Sequence, residues 1–303
     1  MSVQGSIHRY FLIVEKVRRS SFPSLDTLSQ YLTEQGFEIS NRTLQRDIEA
    51  LRIEFNIDIS YNRLENGYFI DRLDSETESA IRFLEIATEA EIVLESFKDV
   101  KKSLTEISFE NTGALKGIGH LRSLLFAIRH QRVIEFDHVN FSTDERKHFV
   151  AHPYLLKEYQ GRWYIYAKIE YISNPLFFGI DRIENLIVTD SIFQQDNINT
   201  KLLDNVVGIS LSTEPAMDVV LKFTALQGKY VKALPLHGSQ TILEDNATHL
   251  TLKLHIVPNF ELTQRILMYG DLVFVMEPVE LAQEIEEIHK NSAKQYSQRH
   301  GLS

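Results

Sequence analysis

The sequence predicts a multidomain α+β protein, and three observations carry that prediction. The chain has 303 residues, room for two or three domains at ~100–200 residues each. Apolar residues recur at helical spacing as far as Phe55. From Val133 onward the pattern changes to strand after strand, and a mixed strand and helix region closes the chain.

The elements follow in order. Residues 6–19 form an expected helix on Ile7, Phe11, Val14 and Val17. Pro23 breaks the chain, and Ser24 caps a second helix bearing Leu25, Leu28 and Leu32 and ending at Gly36. Ser40 caps a third, on which Leu44, Ile48, Leu51 and Phe55 make one apolar stripe. Ile57, Ile59 and Tyr61 then alternate, and Asn66-Gly67 precedes Tyr68-Phe69-Ile70, a short hairpin around a polar turn. Residues 76–108 are expected to be mostly helical and glutamate-rich, with Ala80, Leu84, Ala87, Leu94 and Phe97 as a loose stripe. Gly113, Gly117 and Gly119 mark a linker between Glu106 and Gly119. A helix with Leu121, Leu124, Leu125 and Ile128 leads into five strands as far as Phe193, with Gly161 at a tight hairpin. Residues 217–280 read strand, helix, strand, strand, helix, strand, and a last helix runs from about Pro278 to Gln298.

Composition bounds the function. Hydrophobic residues make up 43% and charged residues 24%, which excludes a disordered, collagenous or coiled-coil chain. No stretch approaches the ~18 apolar residues of a membrane span. The apolar run near the start meets Glu15 at once and has no small-residue cleavage site, so no secretory signal is expected. With no cysteine there is no disulfide, thiol nucleophile or cysteine zinc site, which fits a reducing cytoplasm. Net charge is −10, yet residues 1–52 carry seven Lys/Arg against six Asp/Glu. An acidic body disfavours non-specific contact with DNA and leaves binding to one local surface.

Three short helices and a two-stranded wing are the pattern of a winged helix-turn-helix. The third helix opens Asn41-Arg42-Thr43-Leu44-Gln45-Arg46. Arg42 and Arg46 stand one turn apart beside Thr43, and long donors on these turns suit major-groove reading. Asn41, Arg42, Thr43, Gln45 and Arg46, with Arg63 in the hairpin turn, are the candidate DNA-binding residues. The alternative is a solvated face with an Arg42-to-Asp47-type ion pair; the flanking helices and wing favour DNA. A second candidate is the strand Arg162-Trp163-Tyr164-Ile165-Tyr166, which holds the chain's one Trp. Trp163 and Ile165 point one way, Arg162, Tyr164 and Tyr166 the other. Core is the better reading of the string alone; a pocket lined by Arg162, Tyr164 and nearby Arg182 is the functional one.

Enzyme signatures are weak. His148 and His152 fall on a strand without a nearby third ligand. Gly208-Ile209-Ser210-Leu211-Ser212 lacks the glycine that a nucleophile elbow needs after its serine. The glycines at 113, 117 and 119 lack phosphate-loop spacing. No catalytic residue, metal or cofactor is expected.

The chain resembles the WYL-domain transcription regulators. The resemblance rests on residues 40–51 (SNRTLQRDIEAL), on 152–168 (HPYLLKEYQGRWYIYAK), where Trp163-Tyr164-Ile165 stands for Trp-Tyr-Leu, and on 178–183 (FGIDRI). It continues through SQTI, NFEL, ILMYG and VFVMEP, so it covers nearly the whole chain in the family's order. It implies a winged helix-turn-helix domain at 1–72, a helical linker at 73–120, an Sm-like β-barrel WYL sensor domain at 121–195 and a ferredoxin-like WCX domain at 210–300. It also implies a cytoplasmic homodimer that binds operator DNA and senses a small-molecule or nucleotide effector. Trp163, Tyr164 and Arg182 are then expected on one concave surface, with Arg162 and Tyr154 completing the ligand-binding set. The chain departs from the family where Leu176 and Gly179 replace two common arginines and Arg182 alone remains. That departure points to a small ligand with one or two negative charges rather than a long single strand. The rival functions are a winged-helix repressor fused to an enzymatic domain, which would need a glycine- and arginine-rich adenylate loop absent here, and a protein-interaction adaptor.

Overall fold

The structure is a computed structural model that describes residues 4–71, 74–96, 117–141, 143–172, 174–194, 200–212 and 214–300. The expected helix past Ser96, with Phe97, and the glycine linker as far as residue 116, with Gly113, lie outside the described residues, as does the Leu94 side chain. The chain divides into two compact units, Met1–Glu110 and Asn111–Ser303.

The first unit holds α1 (Gln4–Arg19), α2 (Leu25–Glu34), α3 (Asn41–Phe55), a hairpin of β1 (Ile59–Asn62) and β2 (Gly67–Ile70), and α4 (Ser75–Ser96). Both serine caps form. Ser24 and Ser40 accept from the backbone N–H of Thr27 and Thr43, filling a donor that a helix start otherwise leaves orphaned. The core joins Ile13, Val14, Leu28, Leu32, Leu44 and Leu51 to Ile57. α1 is apolar on more sides than its stripe suggested, because α4 packs on it and brings Ile81 and Leu84 into the same core. The expected linker therefore begins with a helix that belongs to this first core. Gly67 is needed for close approach: a Cβ there would lie 1.9 Å from the Phe22 carbonyl oxygen, where the Tyr68 N–H bonds the Pro23 carbonyl. The left-handed residue of the turn is Asn66, φ 53°.

The second unit begins with α5 (Leu121–Arg129) on a five-stranded antiparallel sheet of β3 (Arg132–Val139), β4 (Arg146–Tyr159), β5 (Arg162–Ile169), β6 (Leu176–Gly179) and β7 (Ile183–Ile192). The spatial order is β6-β5-β4-β3-β7. The resemblance implies a barrel. Among the described residues no ladder joins β6 to β7, so the sheet stays open: β6 has four residues, and the chain turns at once through Ile180–Arg182 into β7 on the far edge. Gln160 and Gly161, both at positive φ, make the expected tight hairpin. Gly117, expected as a flexible linker residue, is instead a packing residue. Its φ is +85°, and a Cβ would meet the Ile180 carbonyl oxygen at 2.3 Å.

A second sheet follows in the same unit: β8 (Met217–Thr224), α6 (Ala225–Ala233), β9 (Thr241–Asp245), β10 (His249–Ile256), α7 (Phe260–Leu267), β11 (Val273–Glu277) and α8 (Val279–His300), as the sequence pattern orders them. Its strands lie β11-β8-β10-β9, all antiparallel, with Val219, Leu221, Phe223, Leu252 and Leu254 facing helices α6, α7 and α8. Among the described residues no helix is long and apolar enough to cross a membrane.

Candidate functional sites

α3 presents two faces. Leu44 and Leu51 are fully buried, and Asp47 between them is 1% exposed. Arg9 of α1, also buried, grips Asp47 with two hydrogen bonds, Nε at 2.5 Å and Nη2 at 3.2 Å. The Arg42-to-Asp47-type surface pair does not form, because Asp47 points inward and is taken by Arg9. Asn41, Arg42, Gln45 and Arg46 are exposed on the opposite face. Thr43 is half-buried, and its hydroxyl sits 3.0 Å from the Ser40 hydroxyl in the cap. Arg52 is paired with Glu49 at 2.5 Å, whereas Arg42 and Arg46 make no ion pair among the described residues. Arg63 is exposed in the wing turn, which Asn62 Oδ1 organises by accepting from the N–H of Leu64 and Glu65.

In the second unit two clefts of about 410 Å³ share Ile209. Tyr159, Arg162 and Tyr164 of the five-stranded sheet line the first, with Glu261 and Gln264 of α7. Asn259 caps α7 and its Nδ2 donates to the carbonyls of Val207 and Ser210. Glu261 is buried, and its Oε1 accepts from the Ile209 N–H, the Ser210 N–H and the Ser210 hydroxyl. Gly208 allows this grip: at φ +73° a Cβ would lie 2.4 Å from Glu261 Cγ. Lys157 donates to the Val206 carbonyl, and burial pulls its pKa below the usual lysine value against the opposing pull of Glu261 and Asp204. Residues 206–210 are thus tied to β4 through Lys157 and to α7 through Asn259 and Glu261.

The second cleft is lined by His138, Lys147, Phe149, Phe178 and Arg182, with Ser210 on its wall. Arg182 lies with its guanidinium 4.8 Å from the Phe141 ring centre and its Nε 4.0 Å from Asp181. Gly179 leaves room for it: a Cβ there would stand 3.0 Å from Arg182 Nε and 2.6 Å from Asp181 Oδ1. Burial, and then the Arg182 charge, push the His138 pKa down to about 4. His138 Nε2 is buried without a hydrogen-bond partner among the described residues.

The expected ligand residues therefore divide. Tyr164 and Arg162 line the first cleft and Arg182 the second. Trp163 packs with the sheet's core beside Ile165, on the face that strand alternation assigns it. Tyr154 lies at the β4 bulge against Phe193, ring centres 5.6 Å apart. His138, Lys147 and Glu261 were missed. In the sequence Glu261 is marked only by the string Asn259-Phe260-Glu261-Leu262, part of the family resemblance.

Comparison with known proteins gives two family matches, a WYL domain at residues 119–188 and a WCX domain at 215–293. No curated protein matches the sequence. Among solved structures, the chain is similar to proteasome accessory factor B/C (PafBC) of Arthrobacter aurescens, at 16% identity and TM-score 0.30, over 92% of this chain and 45% of that one. The chain thus spans less than half the length of that protein. A CRISPR Cas-related protein matches at 11% identity and TM-score 0.39, over 98% of this chain and 86% of that one.

Proposed function

We propose that this chain, which carries a WYL domain with a WCX domain behind it, is a WYL-domain regulator that binds duplex DNA and regulates transcription in response to an effector. Residues 1–72 are read as a winged helix-turn-helix, the five-stranded sheet as an Sm-like sensor and the βαββαβ region as a ferredoxin-like WCX domain. One observation carries the DNA reading. α3 is locked from behind by Leu44, Leu51 and the Arg9–Asp47 pair, and turns two unpaired arginines one turn apart to solvent. A rigid helix with exposed forked donors is what base and phosphate contacts need. The overall charge of −10 supports a single local DNA surface rather than coating. The effector is assigned to the cleft that holds Arg182, and the protein acts without catalysis, as a homodimer in the cytoplasm.

Selection of bound sites from random duplex DNA by the full chain tests this. Enrichment of a repeated half-site, with affinity falling steeply as salt rises, is the expected result. Retention of DNA without any enriched sequence, or none at all, would leave the adaptor reading in its place.

A further inference from the structure

The Arg182 cleft has a more specific chemistry than its place in the fold requires. Its cations are few: Lys147 and Arg182 are those among its lining residues. Lys147 Nζ lies 3.1 Å from Glu145. Asp181 lies 3.6 Å from Arg162 and 4.0 Å from Arg182 Nε, so its carboxylate is shared and the Arg182 fork stays open to a ligand. His138 adds no charge at neutral pH, since burial holds it in the neutral form. Leu176, where the family commonly carries an arginine, gives the cleft an apolar wall, and Gly179 gives Arg182 space instead of a second cation.

The other features are those of a built site. His138 is 9% exposed, and its Nε2 has no hydrogen-bond partner among the described residues. Buried polar atoms are paired in the great majority of cases, so an orphan on a cleft wall marks a place where a ligand atom completes the bond. The His138 ring is held edge-on by Phe178 at 5.3 Å and by Phe149 at 6.4 Å, so Nε2 cannot swing away to find water without breaking that packing. Phe149 and Phe178 offer a flat ring an aromatic wall. The Arg182 fork matches one carboxylate through two parallel bonds. A volume of about 410 Å³ sits at the low end of the range for small-ligand pockets.

We propose that this cleft binds a small planar monoanion, an aromatic carboxylate, with its carboxylate on Arg182, its ring against Phe149 and Phe178, and a polar ring atom on His138 Nε2. A phosphate dianion or a strand of phosphates would need more cations than Arg182 and the Glu145-paired Lys147 supply. The inference rests on reading this cleft as the effector site and adds to it the class of effector.

The test is calorimetric titration of the full-length chain with four probes: benzoate, indole-3-carboxylate, adenosine monophosphate and a short oligothymidylate. Saturable one-to-one binding of an aromatic carboxylate is expected, with both phosphate probes weaker. Arg182→Gln should weaken it by about tenfold or more, since one charge-assisted fork is lost. His138→Phe keeps the ring packing and removes Nε2; it should weaken indole-3-carboxylate, whose N–H can bond there, severalfold more than benzoate. Tighter binding of either phosphate probe overturns the proposal. So does carboxylate binding that survives Arg182→Gln, or no saturation by ~10 mM carboxylate. DNA binding by the same preparation separates the two readings. If DNA binds and no carboxylate does, the inference alone fails; if DNA does not bind, the regulator reading fails with it.

Discussion

Arg9 and Asp47, 38 positions apart, form a two-bonded ion pair whose side chains are 5% and 2% exposed, joining α1 to the buried face of α3. Removing Arg9 leaves the Asp47 charge buried without that partner, and breaking a buried pair in this way costs about 3–5 kcal/mol. Arg9→Met is therefore expected to lower the unfolding free energy, measured by urea titration, by that much. Arg9→Met with Asp47→Leu, which removes both charges, should recover most of the loss. Equal destabilisation by the single and double changes would show that packing volume, not the charge pair, holds α3.

On the exposed face of the same helix, Arg42 and Arg46 are expected to act on DNA without affecting stability. Alanine at a base-reading arginine should cost about 1–3 kcal/mol and relax one position of the site; alanine at a phosphate-contacting one should flatten the salt slope by about one unit. Unfolding midpoints should stay within about 0.5 kcal/mol of the parent, as for surface changes generally. Unchanged DNA affinity in the double variant would remove α3 as the reading helix.

Gly67 separates a backbone clash from a conformational preference. A Cβ at this position meets the Phe22 backbone carbonyl at 1.9 Å, whereas at Gly119 it meets nothing within 4 Å. Gly67→Ala should destabilise the hairpin by more than the ~0.4–1 kcal/mol that a compatible Gly-to-Ala change gains, and Gly119→Ala should be neutral or better. Hydrogen exchange at Tyr68 N–H, which bonds the Pro23 carbonyl, should speed up in the first variant and not in the second.

Local order was legible in the residues. Ser24 and Ser40 marked two helix starts because an N-cap is a contact within four residues. The Gln160-Gly161 hairpin was equally local. Relations between distant segments were not. Nothing near Asp47 in sequence shows that Arg9 reaches it, and nothing near Glu261 shows that Ser210, 51 positions back, bonds it. Trp163 and Tyr164 are the instructive pair. The family resemblance put both on one surface, while period-two alternation put them on opposite faces, and the backbone geometry decides in favour of alternation.

Glu261 bonds three donors of Ile209 and Ser210 through a single oxygen. Both clefts share Ile209, so this grip sets their common wall. Glu261→Leu leaves two backbone donors and a hydroxyl without their acceptor, each unsatisfied group costing about 1–3 kcal/mol where water cannot reach. Faster hydrogen exchange at Ile209 and Ser210 is expected, together with altered ligand affinity at the Arg182 cleft, although Glu261 does not line it. Unchanged exchange at both amides would mean that residues 206–210 are held by Asn259 and Lys157 without Glu261.

His138 predicts a pH dependence with a definite sign. Burial first, and Arg182 second, push its folded pKa from 6.5 to about 4, so the unfolded chain binds the proton more readily. The stability that depends on neutral His138 is fully present above pH 6.5 and is lost as pH falls toward about 4. The shift corresponds to roughly 3 kcal/mol across that window. His237, whose pKa burial also lowers, contributes in the same direction, so the two must be separated by difference. His138→Phe cannot be protonated and retains the ring contacts to Phe149 and Phe178. Urea midpoints of the parent and this variant, measured from pH 7 to pH 4, should converge or cross as pH falls, because only the parent loses the His138 contribution. Parallel curves would mean that His138 is protonated inside the cleft at little cost, and the orphaned Nε2 would then be reached by water.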